Sequence, residues 1–157
     1  NLDLAPDCEH KFNGTAYWTY AEKHNLEDII KDLGYVALQG ELIGPGIREN
    51  KYGLKDLQFR VFNIYDIANH QYFEYLDMLA AVEAFGLGDT FLVPMLGGIE
   101  LNHSVEEILE MSKGKSVLRD TPREGIVLRT IGSEIDPELG RLSFKAINSD
   151  FLLKHGE

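Results

Sequence analysis

The chain has one cysteine, Cys8, among its 157 residues, which excludes an internal disulfide and a zinc site built on several cysteines. Such usage favours a reducing compartment, and we expect a cytoplasmic protein. The sequence has no apolar run near the ~20 residues of a membrane span and no basic segment leading into an apolar one at its start. Its 5 histidines are scattered, which predicts surface residues and no histidine metal site. We therefore expect no membrane segment and no targeting signal.

Positive charge is also scarce. There are 15 Lys and Arg against 26 Asp and Glu, a formal net charge of −11. This balance excludes a general nucleic-acid-coating surface, because such surfaces bind through many phosphate contacts from Lys and Arg. Residues 61–110 contain no Lys or Arg and are interpreted as a solvated acidic face. Contacts with phosphate are therefore expected in residues 41–60 and 111–157.

The hydrophobic pattern predicts one folded α+β domain with several antiparallel strands. Hydrophobic residues make up 44% of the chain, enough for a core, so a disordered tail is excluded. We expect Asn25 to cap the first helix and Gly34 to end it, and Ser104 with Glu107 to open a later one. Helices are predicted over 26–33, 71–85 and 104–111, strands over 35–43, 59–67, 90–96, 126–130 and 142–147, and a polar connection with an Asp136-Pro137 turn over 132–140.

Two of these elements carry specific expectations about burial. The helical period over 71–85 predicts a buried face that includes Phe73, Leu76 and Leu79. Strict alternation along the strand at 59–66 puts apolar residues on both of its faces. That strand is therefore expected either between two layers or with one aromatic side chain offered to a ligand.

Four residues stand out as candidates for chemistry. Glu41 lies beside glycine in an apolar strand, which indicates a close approach by another strand or by a ligand. Phe62 is either core or a platform for a ligand ring. Glu124 begins a strand, is expected on the face of residues 126 and 128, and opposes Arg129 across that strand. Lys145, in the middle of an apolar strand, needs either a solvated face or an anionic partner.

Four segments in order resemble the motifs of a known superfamily. Residues 39–44 (QGELIG), 59–64 (FRVFNI), 124–129 (EGIVLR) and 143–148 (SFKAIN) resemble motifs III, IIIa, IV and V of the covalent nucleotidyltransferases. Within that superfamily the chain is similar to ATP-dependent RNA ligases related to the second phage RNA ligase and its bacterial branch, which residues 39–55 also resemble. Residues 1–4 resemble the end of motif Ia. The resemblance implies the largely antiparallel sheets of the nucleotidyltransferase fold, incomplete at the N-terminus, with 1–157 a partial adenylyltransferase domain from motif Ia through motif V.

The resemblance also implies a function and a set of roles. These enzymes join RNA 3′-hydroxyl and 5′-phosphate ends through lysyl-AMP and adenylylated RNA, using ATP and Mg²⁺. Glu41 then matches the acid near the nucleoside sugar, and Phe62 the aromatic that stacks on adenine. Glu124 matches the acid that helps to hold the metal, and Lys145 the lysine at the α-phosphate, so these two would be catalytic. ATP or AMP and RNA ends are the implied partners.

Two departures from the family pattern bear on activity. The nucleophilic lysine of motif I, which precedes motif Ia in the family, is absent, since Lys11 follows residues 1–4 and is followed by Asn13 where the motif has aspartate. The second lysine of motif V stands as Ile147. The chain is therefore expected to be a ligase fragment that is not catalytically competent alone. The alternatives are a non-catalytic nucleotide- or RNA-binding module, or another nucleotidyltransferase such as a DNA ligase or capping enzyme.

Overall fold

The computed structural model describes residues 14–47, 50–88, 91–132 and 134–155. The chain divides into two compact units, Asn1–Val93 and Pro94–Glu157. Both contain helices and antiparallel strand pairs, which confirms the α+β class. No helix within the described ranges is long and apolar enough to cross a membrane.

The described residues of the first unit form three helices and a three-stranded antiparallel sheet. Its elements are α1 (Gly14–Lys23), α2 (Leu26–Leu33), β1 (Val36–Ile43), β2 (Gln58–Asp66), β3 (Gln71–Tyr72) and α3 (Tyr75–Ala84), with the strands in the order β1-β2-β3. Helix α1 was not predicted.

Helix α2 has the predicted bounds, but its first residue is not capped as predicted. Asn25 adopts a left-handed conformation (φ 50°, ψ 38°), and its side chain makes no cap hydrogen bond. A capping side chain normally belongs to a residue with extended backbone, so the predicted cap is wrong. At the other end Gly34, with φ 99°, donates its N–H to the Lys31 carbonyl and ends the helix as predicted.

Strand β2 contains one residue more than the stretch of β1 that it pairs with. Gln39 pairs with Asn63 whereas Gly40 pairs with Val61, so Phe62 is the additional residue of a β-bulge. The bulge resets the alternation of β2, and the expectation that both of its faces are apolar is wrong. Instead the sheet has a mainly apolar face (Val36, Leu38, Gly40, Leu42, Phe59, Val61, Ile64, with Asp66 at its end) and a more polar face (Gln39, Glu41, Gln58, Arg60, Asn63, with Ala37, Ile43 and Tyr65).

The apolar face packs against helices α2 and α3. The buried core cluster consists of Leu26, Val36, Val61, Ile64, Met78, Val82, Phe91 and Leu92. Val61 and Ile64, from either side of the bulge, are its most buried members, at 0% and 1% exposed. The bulge therefore lets β2 fill the core while the other face of the sheet stays polar.

Helix α3 begins later than predicted. Residues 71–72 form β3, in which Tyr72 pairs with Tyr65 of β2, so the helix begins only at Tyr75. It buries Met78 and Val82.

The rest of the predicted buried face of α3 is wrong in part. Leu76 and Leu79 are exposed, whereas Phe73, which lies before the helix, packs against the core cluster. The helix is apolar almost all round, so the sequence does not determine which face turns inward.

The predicted strand over 90–96 is wrong apart from one bridge. Val61 donates its N–H to the Phe91 carbonyl and accepts the N–H of Val93, and Leu92 forms a parallel bridge with Val61. Pro94 follows and has no N–H to continue the ladder. Residues 93–100 have no regular structure.

In the second unit, the part of the chain that the structure describes forms two helices and two small antiparallel sheets. Its elements are α4 (Val105–Ser112), β4 (Gly125–Arg129), β5 (Ile135–Asp136), β6 (Gly140–Arg141), β7 (Ser143–Ile147) and α5 (Ser149–His155), with β4 paired to β7 and β5 to β6.

Two local predictions in the second unit are confirmed. The Ser104 hydroxyl accepts the N–H of Glu107, whose carboxylate accepts the N–H of Ser104, which completes the capping box of α4. Asp136 forms the predicted turn, accepting the N–H groups of Leu139 and Glu138. These backbone bonds stabilise the carboxylate and lower the pKa of Asp136.

Substitution of Gly40 by alanine tests the close packing of β1 on β2. A Cβ atom at Gly40 would lie 2.6 Å from the Arg60 carbonyl oxygen and 2.8 Å from the Phe59 ring. Because the backbone cannot retreat without breaking the ladder, we expect Gly40→Ala to lower the free energy of unfolding by about 1–3 kcal/mol. Denaturant titration measures this.

The matched control for that experiment is Gly98→Ala, where no described atom lies within 4 Å of the new Cβ position. Equal unfolding free energies for the two variants would contradict the close approach.

Candidate functional site

The polar face of the β1–β2 sheet carries Glu41. Gly40, beside Glu41, lets strand β2 approach closely. Of the two alternatives, approach by another strand or by a ligand, the structure therefore shows the first. The Glu41 side chain is exposed and makes no hydrogen bond or ion pair with any described residue. Its carboxylate is therefore available to accept from a hydroxyl group.

Arg60 faces Glu41 across the ladder but does not bind it. Arg60 is 7% exposed, and its guanidinium donates to the Leu92 carbonyl at 3.2 Å and to Gln58 Oε1 at 2.6 Å. Burial lowers the pKa of Arg60, and the charge interaction with Tyr20 opposes that shift. Sequence reasoning missed this arginine, although its place in the 59–64 segment was a signal.

Phe62 is the bulge residue and has no register partner on β1. It is half-buried, and it is not one of the side chains that pack against the core cluster. Bulges commonly re-aim a side chain, and Asn63, buried at 8% exposure, donates to Gln39 Oε1 directly beside it. Phe62 is thus a ring at the border of a polar surface rather than a sealed core residue.

The second unit brings Glu124 and Lys145 into contact. Glu124 Oε1 accepts a hydrogen bond from the Lys145 ammonium, and the side chains are 42% and 47% exposed. Both alternatives for Lys145 therefore hold, since it has an anionic partner and a solvated position.

The face of Glu124 differs from the expectation. Lys145 is the register partner of Val127, so it lies on the opposite side of the sheet from residues 126 and 128. Glu124 nevertheless contacts it, because Glu124 precedes β4 and is not bound by the alternation of that strand.

Arg129 shares the face of Lys145, as the alternation of β4 predicts. It is exposed, and its Nε donates to the hydroxyl of its register partner Ser143 at 3.3 Å. This face of the β4–β7 sheet therefore carries two cationic groups.

Two further residues of the second unit were missed by sequence reasoning. Arg123 donates to three carbonyl groups at the end of α4, and Asn148, 1% exposed, donates to the carbonyl of Arg123. Arg123 directly precedes the segment 124–129, and Asn148 is the last residue of the segment 143–148, so these positions were the signal that could have found them.

The remaining candidate residues are the histidines, the side chains around a pocket of the second unit, and the N-terminal residues. The described residues contain no group of three or more His, Cys, Asp or Glu side chains that could hold a metal ion. His24 and His70 are exposed as predicted, whereas His103 is half-buried. An open pocket in the second unit is lined by Gly114, Lys115, Asp120, Thr121, Pro122, Asn148 and Asp150, and by none of the predicted side chains. Residues 1–4 and Lys11 lie outside the described residues.

Known structures resemble the chain closely. An RNA ligase of Naegleria gruberi, solved as a variant with ATP and Mn, is 34% identical, with a TM-score of 0.77 over 88% of this chain and 40% of that chain. An apo variant is 35% identical, with a TM-score of 0.77 over 90% and 40% of the two chains. The same ligase with PPi is 35% identical, with a TM-score of 0.76 over 88% and 40%. No curated protein gives a match.

These matches confirm the nucleotidyltransferase fold that the sequence motifs imply. The chain spans about 40% of the length of the solved ligases. The model of the family described as RNA ligase matches residues 1–147. Because the family model covers nearly all of this chain, the chain belongs to the RNA ligase family.

Proposed function

We propose that the chain is the nucleotide-binding part of an ATP-dependent RNA ligase that joins 3′-hydroxyl and 5′-phosphate RNA ends through lysyl-AMP and adenylylated RNA. The observation that carries this proposal is the contact between Glu124 and Lys145 in a member of the RNA ligase family. The solved relatives with ATP, AMP and PPi support it. On this proposal residues 1–157 are a partial adenylyltransferase domain.

The first unit is proposed to bind the nucleoside. The Glu41 side chain is exposed and has no partner among the residues that the structure describes, so its carboxylate can accept from the ribose hydroxyls. Phe62, at the border of the polar face, would stack on adenine through its ring face. Arg60 turns toward Leu92 and does not engage the Glu41 carboxylate.

The second unit is proposed to bind the phosphates and the metal. Lys145 would contact the α-phosphate and oppose the charge that grows there during transfer. The exposed Glu124 carboxylate fits Mg²⁺, an ion that often takes one or two protein carboxylates and completes its shell with phosphate oxygens and water. When bound, that ion would neutralise charge on the phosphate oxygens.

We also propose that the protein acts in the cytoplasm. A chain with the single cysteine Cys8 suits a reducing compartment.

Removal of the Phe62 ring tests the adenine contact. We expect Phe62→Ala to weaken AMP binding by about 1–3 kcal/mol, because one base–aromatic stack is lost, and Phe62→Tyr to bind as the unchanged chain does. Isothermal titration calorimetry with AMP in Mg²⁺ measures both. Tyr35→Ala, which removes an aromatic ring that is 72% exposed in the same unit, is the matched control. Equal losses in Phe62→Ala and Tyr35→Ala would place the base elsewhere.

Lys145→Ala tests the phosphate contact. One charge-assisted hydrogen bond at a half-exposed site is lost, so we expect AMP to bind roughly tenfold more weakly while adenosine, which has no phosphate, binds as before. Lys113→Ala is the matched control, because Lys113 is also paired with a glutamate of the second unit, Glu110 at 2.5 Å. A loss that is the same for AMP and adenosine would refute a phosphate role.

Labelled ATP tests whether Lys11 acts as the nucleophile that forms lysyl-AMP. We expect the chain with Mg²⁺ and ATP labelled at the α-phosphate to form no lysyl-AMP, because Lys11 does not occupy the motif I position in the order of the motifs. Denaturing electrophoresis reveals such an adduct, with the Naegleria gruberi ligase as positive control. A labelled band that disappears in Lys11→Ala would contradict the assignment and make the chain a rearranged active enzyme.

A further inference from the structure

We infer that Asn148 is a positioning residue that holds Glu124 against Lys145, and that Arg123 anchors this arrangement to the end of α4. The inference rests on the proposed function, which gives Glu124 and Lys145 their roles toward metal and phosphate. The contacts themselves lie wholly within the second unit.

Asn148 holds the backbone on both sides of Glu124. Its N–H donates to the Glu124 carbonyl at 2.8 Å, and its Nδ2 donates to the Arg123 carbonyl at 2.9 Å. These carbonyls belong to the two peptide groups that flank the Cα atom of Glu124. With both fixed, the direction in which the Glu124 side chain leaves the backbone is fixed as well.

The amide of Asn148 is itself held in one orientation. The side-chain Oδ1 accepts the N–H of Asp150 at 3.0 Å. The backbone carbonyl of Asn148 accepts the N–H of Phe151 at 3.1 Å, which holds the residue itself in place. One side of the amide therefore accepts and the other donates, a combination that aspartate cannot supply. At 1% exposure water cannot replace a lost partner, so every polar atom of this side chain matters.

Arg123, the residue before Glu124, binds the C-terminal end of helix α4. Its guanidinium donates to the carbonyls of Met111 at 2.5 Å, Ser112 at 3.0 Å and Lys113 at 2.6 Å, and its N–H donates to the Gly114 carbonyl at 2.9 Å. The last carbonyls of a helix have no partner within it and attract a cation. The end of α4 therefore fixes the chain immediately ahead of Glu124.

Gly125 completes the arrangement from the other side. A Cβ atom there would lie 2.2 Å from the Ala146 carbonyl oxygen, so only glycine lets β4 approach β7 this closely. This close approach of the two strands brings Glu124 within reach of Lys145 on β7.

The experiment measures the reactivity of Lys145 toward an acetylating reagent in the folded chain, residue by residue, by mass spectrometry. The Glu124 carboxylate occupies the Lys145 ammonium in a hydrogen bond, so the reagent must displace it and reacts more slowly. Loss of an exposed pair is expected to raise the rate about two- to fivefold. Glu124→Gln removes the carboxylate partner of Lys145, so the acetylation rate in this variant defines the full increase expected when the pair is lost.

Asn148→Asp removes one donor and keeps the size of the side chain, and we expect it to give at least half of the increase seen in Glu124→Gln. Ser112→Ala is the control for lost stability, because it breaks a buried hydrogen bond to the Leu109 carbonyl without touching the Asn148 contacts. The pair between Lys113 and Glu110 is the internal control and should keep its rate in every variant. A rate at Lys145 that stays unchanged in Asn148→Asp, or that rises equally in Ser112→Ala, would overturn the inference.

A second measurement separates this inference from the proposed function. Binding of Mn²⁺ in the presence of AMP is followed by electron paramagnetic resonance, and we expect Asn148→Asp to weaken it alongside the rise in Lys145 reactivity. A rise in reactivity with unchanged Mn²⁺ affinity in both Asn148→Asp and Glu124→Gln would support the positioning role and refute the metal role of Glu124.

Discussion

The paired ladder of β1 and β2, with one residue more on β2, is the constraint on which the first unit depends. Because paired residues share a face, the additional residue at Phe62 allows Val61 and Ile64 to enter the core while Arg60 and Asn63 face the other way. An unbroken alternation would have put Arg60 and Ile64 on the same face, and one of them in the wrong environment. The bulge therefore resolves a packing conflict and, in the same step, leaves an aromatic ring at the edge of a polar surface.

In the second unit the corresponding constraint is that buried polar groups need partners. Asn148 and Ser112, at 1% and 0% exposure, both find theirs in backbone groups, and Arg123 fills the carbonyls at the end of α4. An exposed ion pair such as that of Glu124 and Lys145 contributes at most ~1 kcal/mol to stability. The buried amide network is thus the costly part to disturb, and the pair that it supports is available for chemistry.

The sequence predicted features whose signals are local. Gly34 marked the end of α2, and Ser104 with Glu107 marked the start of α4, because each signal lies within a few residues of its effect. The bulge at Phe62 and the late start of α3 depend on which residues of another strand pair with them, and periodicity along one strand does not contain that information. Among site residues, the contact of Lys145 with Glu124 joins positions 21 apart, and composition left the partner of this lysine open. Arg123 and Asn148 were missed for the same reason, since the carbonyls that accept from their side chains lie 10 to 25 positions away.

The Glu124–Lys145 contact also bears on how an acidic protein could bind a polyanion. With a net charge of −11, the chain as a whole repels phosphate, so binding depends on local cations. Lys145 is such a cation, but Glu124 already neutralises it. A phosphate that approaches Lys145 must therefore compete with the carboxylate, unless a divalent cation engages that carboxylate. On the proposed function, phosphate binding and metal binding would be coupled through the Glu124–Lys145 pair, and nucleotides would bind more strongly when Mg²⁺ is present than the charge on Lys145 alone would allow.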